Sequence, residues 1–256
     1  MNLRHVLITG ASSGIGAALA RRYAAPGTRL SLTGRDPSRL QQVSGLCRSA
    51  GADAEWHAAD IADADDVNQW ITGCDTRQPV DLVIANAGIG GSAVIAPDSG
   101  ETLATAQKIV ATNILGVVHT VIPLLPRFVA RGNGHVVIMS SLAAYVGLPH
   151  SPLYSASKAA VRVYGQALRR LLAPSGVRVT IVCPGFVETP MSAGVQGPRP
   201  MMWSVERAAE RIVRGTSRGE REISFPRSLV MLARLADVLP ARFVDSILIR
   251  TRRNRA

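Results

Sequence analysis

The feature that most constrains the fold of this chain is an alternation of short β-branched runs with longer helical stretches. Strands of a parallel sheet are apolar along their length when both faces are covered, and each needs a crossover helix to return the chain. The alternation therefore predicts an α/β fold with a doubly wound parallel sheet of about seven strands and helices on both faces. The predicted strands are Leu3 to Thr9, Arg29 to Thr33, Ala52 to His57, Val80 to Ala85, His135 to Ser140, Val177 to Cys183 and Glu222 to Phe225.

Helical stretches follow most of the strands, and their ends carry residues that begin or stop helices. The first helix stops at Pro26-Gly27, and Asp63 with its acidic neighbours suits a helix start electrostatically. Pro123 and Pro126 are expected to bend the last turns of the longest helix. The other predicted helices span Pro37 to Ala50, Glu101 to Arg131, Pro152 to Leu172, Ser204 to Arg218 (with Ser204 as its cap) and Leu229 to Arg250.

The chain shows no repeat, linker or low-complexity segment, so residues 1–256 are predicted to form a single domain. Residues 186–203 mix glycine and proline with apolar side chains, and we interpret them as a loop over the substrate. Residues 228–256 are interpreted as a basic, amphipathic C-terminal extension. Apolar runs stay shorter than the roughly 18 residues that a membrane span requires, so no spanning helix is expected.

The composition is that of a globular protein. Apolar residues make up 47% of the chain and charged residues 18%, which excludes a disordered or collagen-like protein. The three cysteines lie far apart and the five histidines never pair at ligand spacing, so neither a disulfide framework nor a metal site is expected. No apolar leader is recognised at the first residues, and the protein is expected to be cytoplasmic.

The net charge of +11 comes from arginine, because only Lys108 and Lys158 are lysines. Much of the excess lies in residues 199–256, which carry 13 basic and 6 acidic groups. Aromatic residues are only 4% of the chain, so stacking platforms for bases are scarce and no nucleic-acid partner is expected. The C-terminal extension is expected either to touch an anionic membrane peripherally or to cover the site of a partner subunit.

A glycine-rich turn follows the first predicted strand. It reads Thr9-Gly10-Ala-Ser-Ser-Gly14-Ile-Gly16 and includes Ser12, Ser13 and Ile15. Glycines let a backbone turn tightly and approach a phosphate, while the following helix offers free N–H groups and the positive end of its dipole. This position after an N-terminal strand indicates a Rossmann-like dinucleotide site, although a turn that binds nothing is the alternative.

The end of the second strand indicates which dinucleotide would bind. An acidic residue there bonds the ribose 2′-hydroxyl of NAD, whereas an arginine accommodates a 2′-phosphate. Here Gly34 occupies the usual acidic position and Arg35 follows it, so NADP(H) is favoured over NAD(H). The alternative is a surface arginine whose charge is neutralised by Asp36.

Three polar residues near the predicted fifth strand suggest chemistry. Tyr154 and Lys158 are four apart in a predicted helix and therefore lie on one face. A phenol with a pKa of about 10 is a poor catalyst at neutral pH, and an adjacent ammonium is expected to lower that pKa. Ser141 supplies a hydroxyl for a substrate oxygen.

In this order and spacing, the motifs resemble those of the short-chain dehydrogenase/reductase family from about Leu3 to Phe225. The resemblance implies that Asn113 joins the three residues above in a proton relay. It also implies that Tyr154 and Lys158 contact the cofactor, with Lys158 bonding the nicotinamide ribose. Asp60, with Ile61 beside it, would bond the adenine. The N-A-G element at the end of strand four would line the adenosine ribose, and a P-G-x-V-x-T segment would contact the nicotinamide. The residues of these two motifs are Asn86, Ala87, Gly88, Pro184, Gly185, Val187 and Thr189.

The resemblance implies an NAD(P)-dependent oxidoreductase that transfers hydride between the cofactor and a carbonyl or secondary alcohol. It also implies a homodimer or homotetramer formed through the two long helices. The alternative is a regulatory or scaffold protein of the same fold that binds cofactor with little turnover. An apolar substrate is expected, because apolar residues flank the site: Leu142, Ala144, Val146, Leu148, Met191, Val195, Met201, Met202 and Trp203.

Overall fold

The computed structural model describes residues 3–90, 102–149, 151–193 and 199–246. Seven strands form one parallel sheet in the order β3-β2-β1-β4-β5-β6-β7, which confirms the predicted doubly wound α/β fold. The strands are β1 His5–Thr9, β2 Arg29–Gly34, β3 Asp53–Ala58, β4 Leu82–Ala85, β5 Gly134–Met139, β6 Val177–Pro184 and β7 Glu222–Phe225.

The order of the strands places a crevice at the carboxyl edge of the sheet. The chain builds outward from β1 through β2 to β3, then returns to add β4 on the other side of β1. Val6 is paired with both Leu30 and Leu82, so β1 is the central strand of this reversal. Loops that leave neighbouring strands in opposite directions open a binding site at such a point.

Helices cover the sheet on both faces. One apolar cluster holds Leu19, Leu40 and Ile212, and a second holds Ile71, Val121 and Leu168, with all six side chains buried. The helices are α1 Gly14–Tyr23, α2 Pro37–Ser49, α3 Ala64–Arg77, α4 Leu103–Arg131, α5 Pro152–Leu172, α6 Pro190–Ala193, α7 Val205–Ser217 and α8 Arg227–Val238.

Side-chain caps start several of these helices. Asp36 accepts a hydrogen bond from the backbone of Arg39 at the start of α2, and Asp63 does the same for Asp66 at the start of α3. Such caps satisfy backbone donors that the helix leaves free. Ser204 accepts from the backbone of Arg207, so the predicted cap of α7 is confirmed.

Helix α4 is continuous but irregular. It contains a π-helical turn at Ala111–Leu115 and a 3-10 turn at Ile122–Leu124, the latter close to the predicted bend. Contrary to the expectation from the sequence, Leu103–Arg131 is long and apolar enough to cross a membrane by length and composition alone. The side chains on its inner face, including those of Val121 and Phe128, are buried in the core, which accounts for their apolar character.

The prediction of one C-terminal helix over 229–250 was wrong. Helix α8 ends at Val238, Leu239 is extended, and a further helical stretch covers residues 241–246. The break falls at Pro240, which has no N–H to donate and forces the preceding residue out of the helical region. Residues 247–250 lie outside the described part of the chain.

Candidate active site

A cavity of about 210 Å³ opens at the carboxyl edge of β1, β2 and β4, where the strand order reverses. Twelve of the predicted cofactor residues line it: Gly10, Ser12, Ser13, Gly14, Ile15, Arg35, Asp60, Ile61, Asn86, Ala87, Gly88 and Thr189. The wall also contains Gly34, which the sequence placed at the position that selects the cofactor, and Met191, which was expected to flank the substrate. Four further lining residues were not singled out from the sequence: Thr33, Ala59, Thr112 and Pro190. The other six predicted cofactor residues lie outside this lining: Gly16, Tyr154, Lys158, Pro184, Gly185 and Val187.

The glycine turn is packed against the end of β4. Gly10 adopts a φ of +67°, and a Cβ there would lie 2.7 Å from Cα of Ala87. At Gly16 a Cβ would collide with the carbonyl oxygen of Gly10. Asn86 holds the turn in place, since its amide donates to the carbonyl oxygens of Thr9 at 3.0 Å and Gly10 at 3.1 Å. The floor of the cavity is therefore backbone, as the approach of a phosphate requires.

Arg35 lies exposed at the rim of this cavity. Asp36, which could have neutralised it, instead caps α2 and pairs with Arg39 at 3.1 Å. Ser12 lies beside Gly34, because a Cβ on Gly34 would be 3.1 Å from the Ser12 hydroxyl. An arginine, a hydroxyl and the start of α1 thus surround one corner of the cavity, and this set suits a phosphate.

Asp60 is exposed beside the cavity, and its carboxylate accepts a local bond from the backbone of Ala62 at 3.0 Å. The start of α3 is capped by Asp63 instead, so Asp60 does not serve as that cap. Ile61 is buried, and its carbonyl oxygen is 3.0 Å from a ring nitrogen of His119 in α4. This contact fixes the backbone next to the Asp60 carboxylate.

Ser141, Tyr154 and Lys158 meet at the end of β5. Ser141 begins a 3-10 turn over Leu142–Ala144, where it accepts from the backbone of Ala143 at 3.1 Å. Its hydroxyl donates to the carbonyl oxygen of Pro184 at 3.4 Å and lies near enough to the Tyr154 phenol to influence its pKa. Lys158 is buried one turn along α5, where its ammonium is 5.8 Å from the centre of the Tyr154 ring and donates to the carbonyl oxygen of Met139 at 3.1 Å.

Burial has the largest effect on the pKa values of Tyr154 and Lys158. It raises the pKa of Tyr154, an effect that the nearby Ser141 hydroxyl opposes, and it lowers the pKa of Lys158 to about 8. The sequence led us to expect a lowered phenol pKa, but the desolvation of the buried phenol outweighs the influence of the Ser141 hydroxyl, and the pKa rises. At neutral pH the phenol is therefore protonated and able to donate.

Asn113 lies in the π-helical turn of α4 and is fully buried. Its amide oxygen accepts from the backbone of Ile89 at 2.8 Å, and its amide nitrogen donates to the carbonyl of Ile89 and to Ser157. A Cβ on Gly88 would lie 3.3 Å from both Asn113 and the Lys158 ammonium. Asn113 therefore joins the loop after β4 to the helix that carries Tyr154 and Lys158.

The segment after β6 turns over the glycine-rich turn. Gly185 donates its backbone N–H to Phe225 at 2.7 Å, and Val187 bridges to Trp203. Thr189 reaches the cavity, where its methyl group would be 3.1 Å from a Cβ on Gly14. Met191, in the short helix α6, extends the same wall.

The predicted apolar wall is only partly available to a substrate. Leu142 and Val146 pack on a small cluster with Tyr145. Trp203 stacks on Phe225 at 4.7 Å and so anchors the end of the loop. Val195 lies outside the described residues. Three half-exposed methionines, which we name the lid methionines, border the cavity or its loop: Met191, Met201 and Met202.

Three residues that hold the site together were not selected from the sequence. The Thr9 hydroxyl accepts from the backbones of Asn86 and Ala87, each at 3.2 Å. Ser140 donates to the carbonyl oxygen of Lys158 at 2.8 Å, and the buried Ser157 supports Asn113. The sequence offers two hints of these roles: Ser140 stands next to Ser141 at the end of β5, and Ser157 directly precedes Lys158.

The chain resembles known proteins along most of its length. The family model described as short chain dehydrogenase matches residues 4–199. An uncharacterized oxidoreductase of Myxococcus xanthus is 37% identical over 96% of each chain. A putative ketoacyl reductase of Streptomyces coelicolor is 35% identical over 80% of each. A short-chain dehydrogenase from Sphingobium yanoikuyae, solved with NADPH, has a TM-score of 0.80 and 28% identity, covering 97% of this chain and 94% of that one.

Proposed function

The chain belongs to the short-chain dehydrogenase/reductase family and is an NAD(P)-dependent oxidoreductase of carbonyl or alcohol groups; from this premise we propose that it is an NADP(H)-dependent reductase of apolar ketones. One observation carries the proposal: Ser141, Tyr154 and Lys158 converge at the edge of the same sheet that bears the cavity. A protein that only bound a dinucleotide would have no physical need for this group, which disfavours the scaffold alternative.

The residues of the cavity fit a dinucleotide. Gly10 and Gly16 leave a backbone cradle that a Cβ would fill, and Arg35 and Ser12 stand where a 2′-phosphate would lie. We assign Asp60 and Ile61 to the adenine, the Asn86-Ala87-Gly88 element to the ribose, and Pro184 to Thr189 to the nicotinamide. When bound, NADPH supplies the hydride that the chain itself lacks.

The chain's own residues manage the proton and the substrate oxygen. Ser141 holds and polarises the carbonyl oxygen, and the protonated phenol of Tyr154 donates its proton to that oxygen. Lys158 carries positive charge below its pKa of about 8 and stabilises the phenolate that results. Asn113 fixes the loop after β4 against α5 and completes the path by which the phenol is protonated again.

The variant Tyr154→Phe tests this assignment. It removes the donor and is expected to lower kcat by about 10²–10⁴-fold while NADPH affinity stays within about twofold of wild type. Tyr164→Phe is the matched control, because Tyr164 lies on the same helix and packs against the core. A Tyr154→Phe enzyme with near wild-type turnover would refute the role of the phenol.

The preference for NADP(H) and for an apolar substrate belongs to the same proposal. Arg35 and the missing acidic group at Gly34 support the first, and the lid methionines support the second, because methionine adapts to irregular apolar shapes.

We propose further that the enzyme is a cytoplasmic homodimer or homotetramer and that any membrane contact is peripheral, through the C-terminal residues 228–256. Exposed apolar side chains on both long helices, Leu115 and Ile122 on α4 and Leu171 on α5, support the oligomer.

A further inference from the structure

Helix α8 presents an apolar face to solvent. Met231 is 72% exposed, Leu232 59% and Leu235 51%, and Val238 is more exposed still. These positions recur at steps of three and four residues, so the side chains form one stripe along the helix. Within the described part of the chain, nothing covers this stripe, which continues past Pro240 to the half-exposed Phe243. We name these five side chains the α8 stripe.

Two residues outside the stripe fasten α8 to the elements around Ser141. Ala233 packs on the cluster that contains Tyr145, and Arg234 donates to Glu222 of β7 at 3.0 Å. Glu222 also accepts from the Tyr145 hydroxyl at 2.6 Å, and Tyr145 ends the 3-10 turn that Ser141 begins. The stripe is thereby held in a fixed orientation relative to the catalytic serine.

The start of α8 adjoins the substrate loop. The Ser228 hydroxyl donates to the sulfur of Met201 at 2.8 Å. Met201 has a φ of 55°, a left-handed conformation that a side chain other than glycine rarely adopts unless its surroundings impose it. This conformation leaves half of the Met201 side chain exposed, and Met202 beside it is 38% exposed. Met201, with its neighbour Met202, therefore borders the first turn of α8, where the α8 stripe begins.

The charges around this surface indicate what covers it. Residues 226–256 contain seven arginines and two aspartates. Arg227 and Arg242 are exposed at the two ends of the stripe, and four of the seven arginines lie in the last ten residues, beyond the described part. A second copy of the chain seated on this face would bring the same cations together, whereas an anionic lipid surface complements both the charge and the apolar stripe.

We propose that the α8 stripe docks on an anionic lipid surface and turns Met201 and Met202 toward it. The substrate then enters from the lipid phase, as a long-chain ketone too apolar to be abundant in water. This second half rests on the proposed function, whereas the docking itself does not.

Co-sedimentation of the full chain with vesicles tests the docking. Binding is expected to vesicles of phosphatidylcholine with phosphatidylserine, to be far weaker with phosphatidylcholine alone, and to fall as salt rises from about 0.05 to about 0.5 M. Leu232→Glu is expected to weaken binding at least tenfold. Leu46→Glu is the matched control, because Leu46 is a leucine of similar exposure, 55%, on α2. Equal binding to both kinds of vesicle, or equal loss in the two variants, would overturn the proposal.

Light scattering separates the lipid surface from a second copy of the chain. Leu232→Glu is expected to leave the oligomeric state unchanged. If it instead splits an oligomer and vesicle binding persists, the stripe is a protein interface and the proposal is wrong.

Turnover then tests the delivery of substrate. The Leu232→Glu enzyme is expected to lose at least fivefold of its rate on a long-chain ketone dissolved in anionic vesicles and to keep its rate on a water-soluble ketone. Equal rates of variant and wild type on the vesicle-borne ketone would overturn the delivery. If the wild-type enzyme reduces neither ketone, the proposed function and the delivery both fail, while sedimentation still decides the docking.

Discussion

Replacement of Arg35 by alanine should change the cofactor preference of this enzyme. The Arg35 side chain stands at the rim of the cavity, beside Ser12, and the nearby Asp36 is engaged with Arg39. A hydrogen bond to a charged group contributes about 1.5–3 kcal/mol, which corresponds to roughly 10- to 150-fold in affinity. Because Arg35 is exposed, solvent screening favours the lower end, and we expect about a tenfold rise in the Kd for NADPH.

NADH lacks the 2′-phosphate, so its Kd should change by less than about threefold in the same variant. The assay is a titration of nicotinamide fluorescence with both cofactors at low and high salt, and the selectivity should shrink as salt rises. Arg218→Ala is the matched control, since it removes an exposed arginine at the end of α7, outside the lining of the cavity. Equal weakening of NADPH and NADH, or no weakening of NADPH, would refute the assignment of the phosphate to this corner.

Three further outcomes follow from the geometry. The rate of carbonyl reduction should fall as pH rises through about 8, because the buried Lys158 loses its proton there; a Lys158→Met enzyme should be slow at every pH and lose that step. Gly16→Ala should abolish measurable NADPH binding, because its Cβ meets backbone, whereas Gly45→Ala on α2 meets nothing within 4 Å and should leave binding unchanged. Asp75→Ala should lower the free energy of unfolding by about 2 kcal/mol in urea titrations, because it removes a buried carboxylate that accepts from Arg127, Arg131 and the backbone N–H of Val80; the exposed Asp53→Ala should change it by less than about 0.5 kcal/mol.

The sheet and most helices could be predicted because their signals are local. The predicted bounds of α5 and β7 match the structure, and Ser204 caps α7 as expected. The C-terminal helix was extended too far because its apolar periodicity outweighed Pro240 in the prediction. The sequence of α4 gives no sign of its π-helical turn, since the turn depends on what the helix packs against.

The part of the site that the backbone forms could be predicted from the sequence. The glycine-rich turn and Arg35 follow from the chemistry of phosphate binding, and the structure brings them to one cavity. The supporting bonds of Thr9 and Ser157 could not be foreseen, because each joins segments more than forty residues apart. The raised pKa of Tyr154 likewise depends on tertiary burial rather than on sequence spacing.

The π-helical turn of α4 also sets the direction in which the later side chains of this helix point. Nineteen positions separate the inward-facing Ile109 from the inward-facing Phe128, whereas five turns of a regular helix take about eighteen. The wider turn at Ala111–Leu115 absorbs the surplus residue, so Asn113 points into the site while Val121 still points into the sheet. Loss of one residue from this turn would rotate one half of α4 by about 100° against the other. Either the Asn113 amide would lose its contact with Ile89 or Phe128 would leave the core. This helix should therefore tolerate substitutions more readily than a change of length.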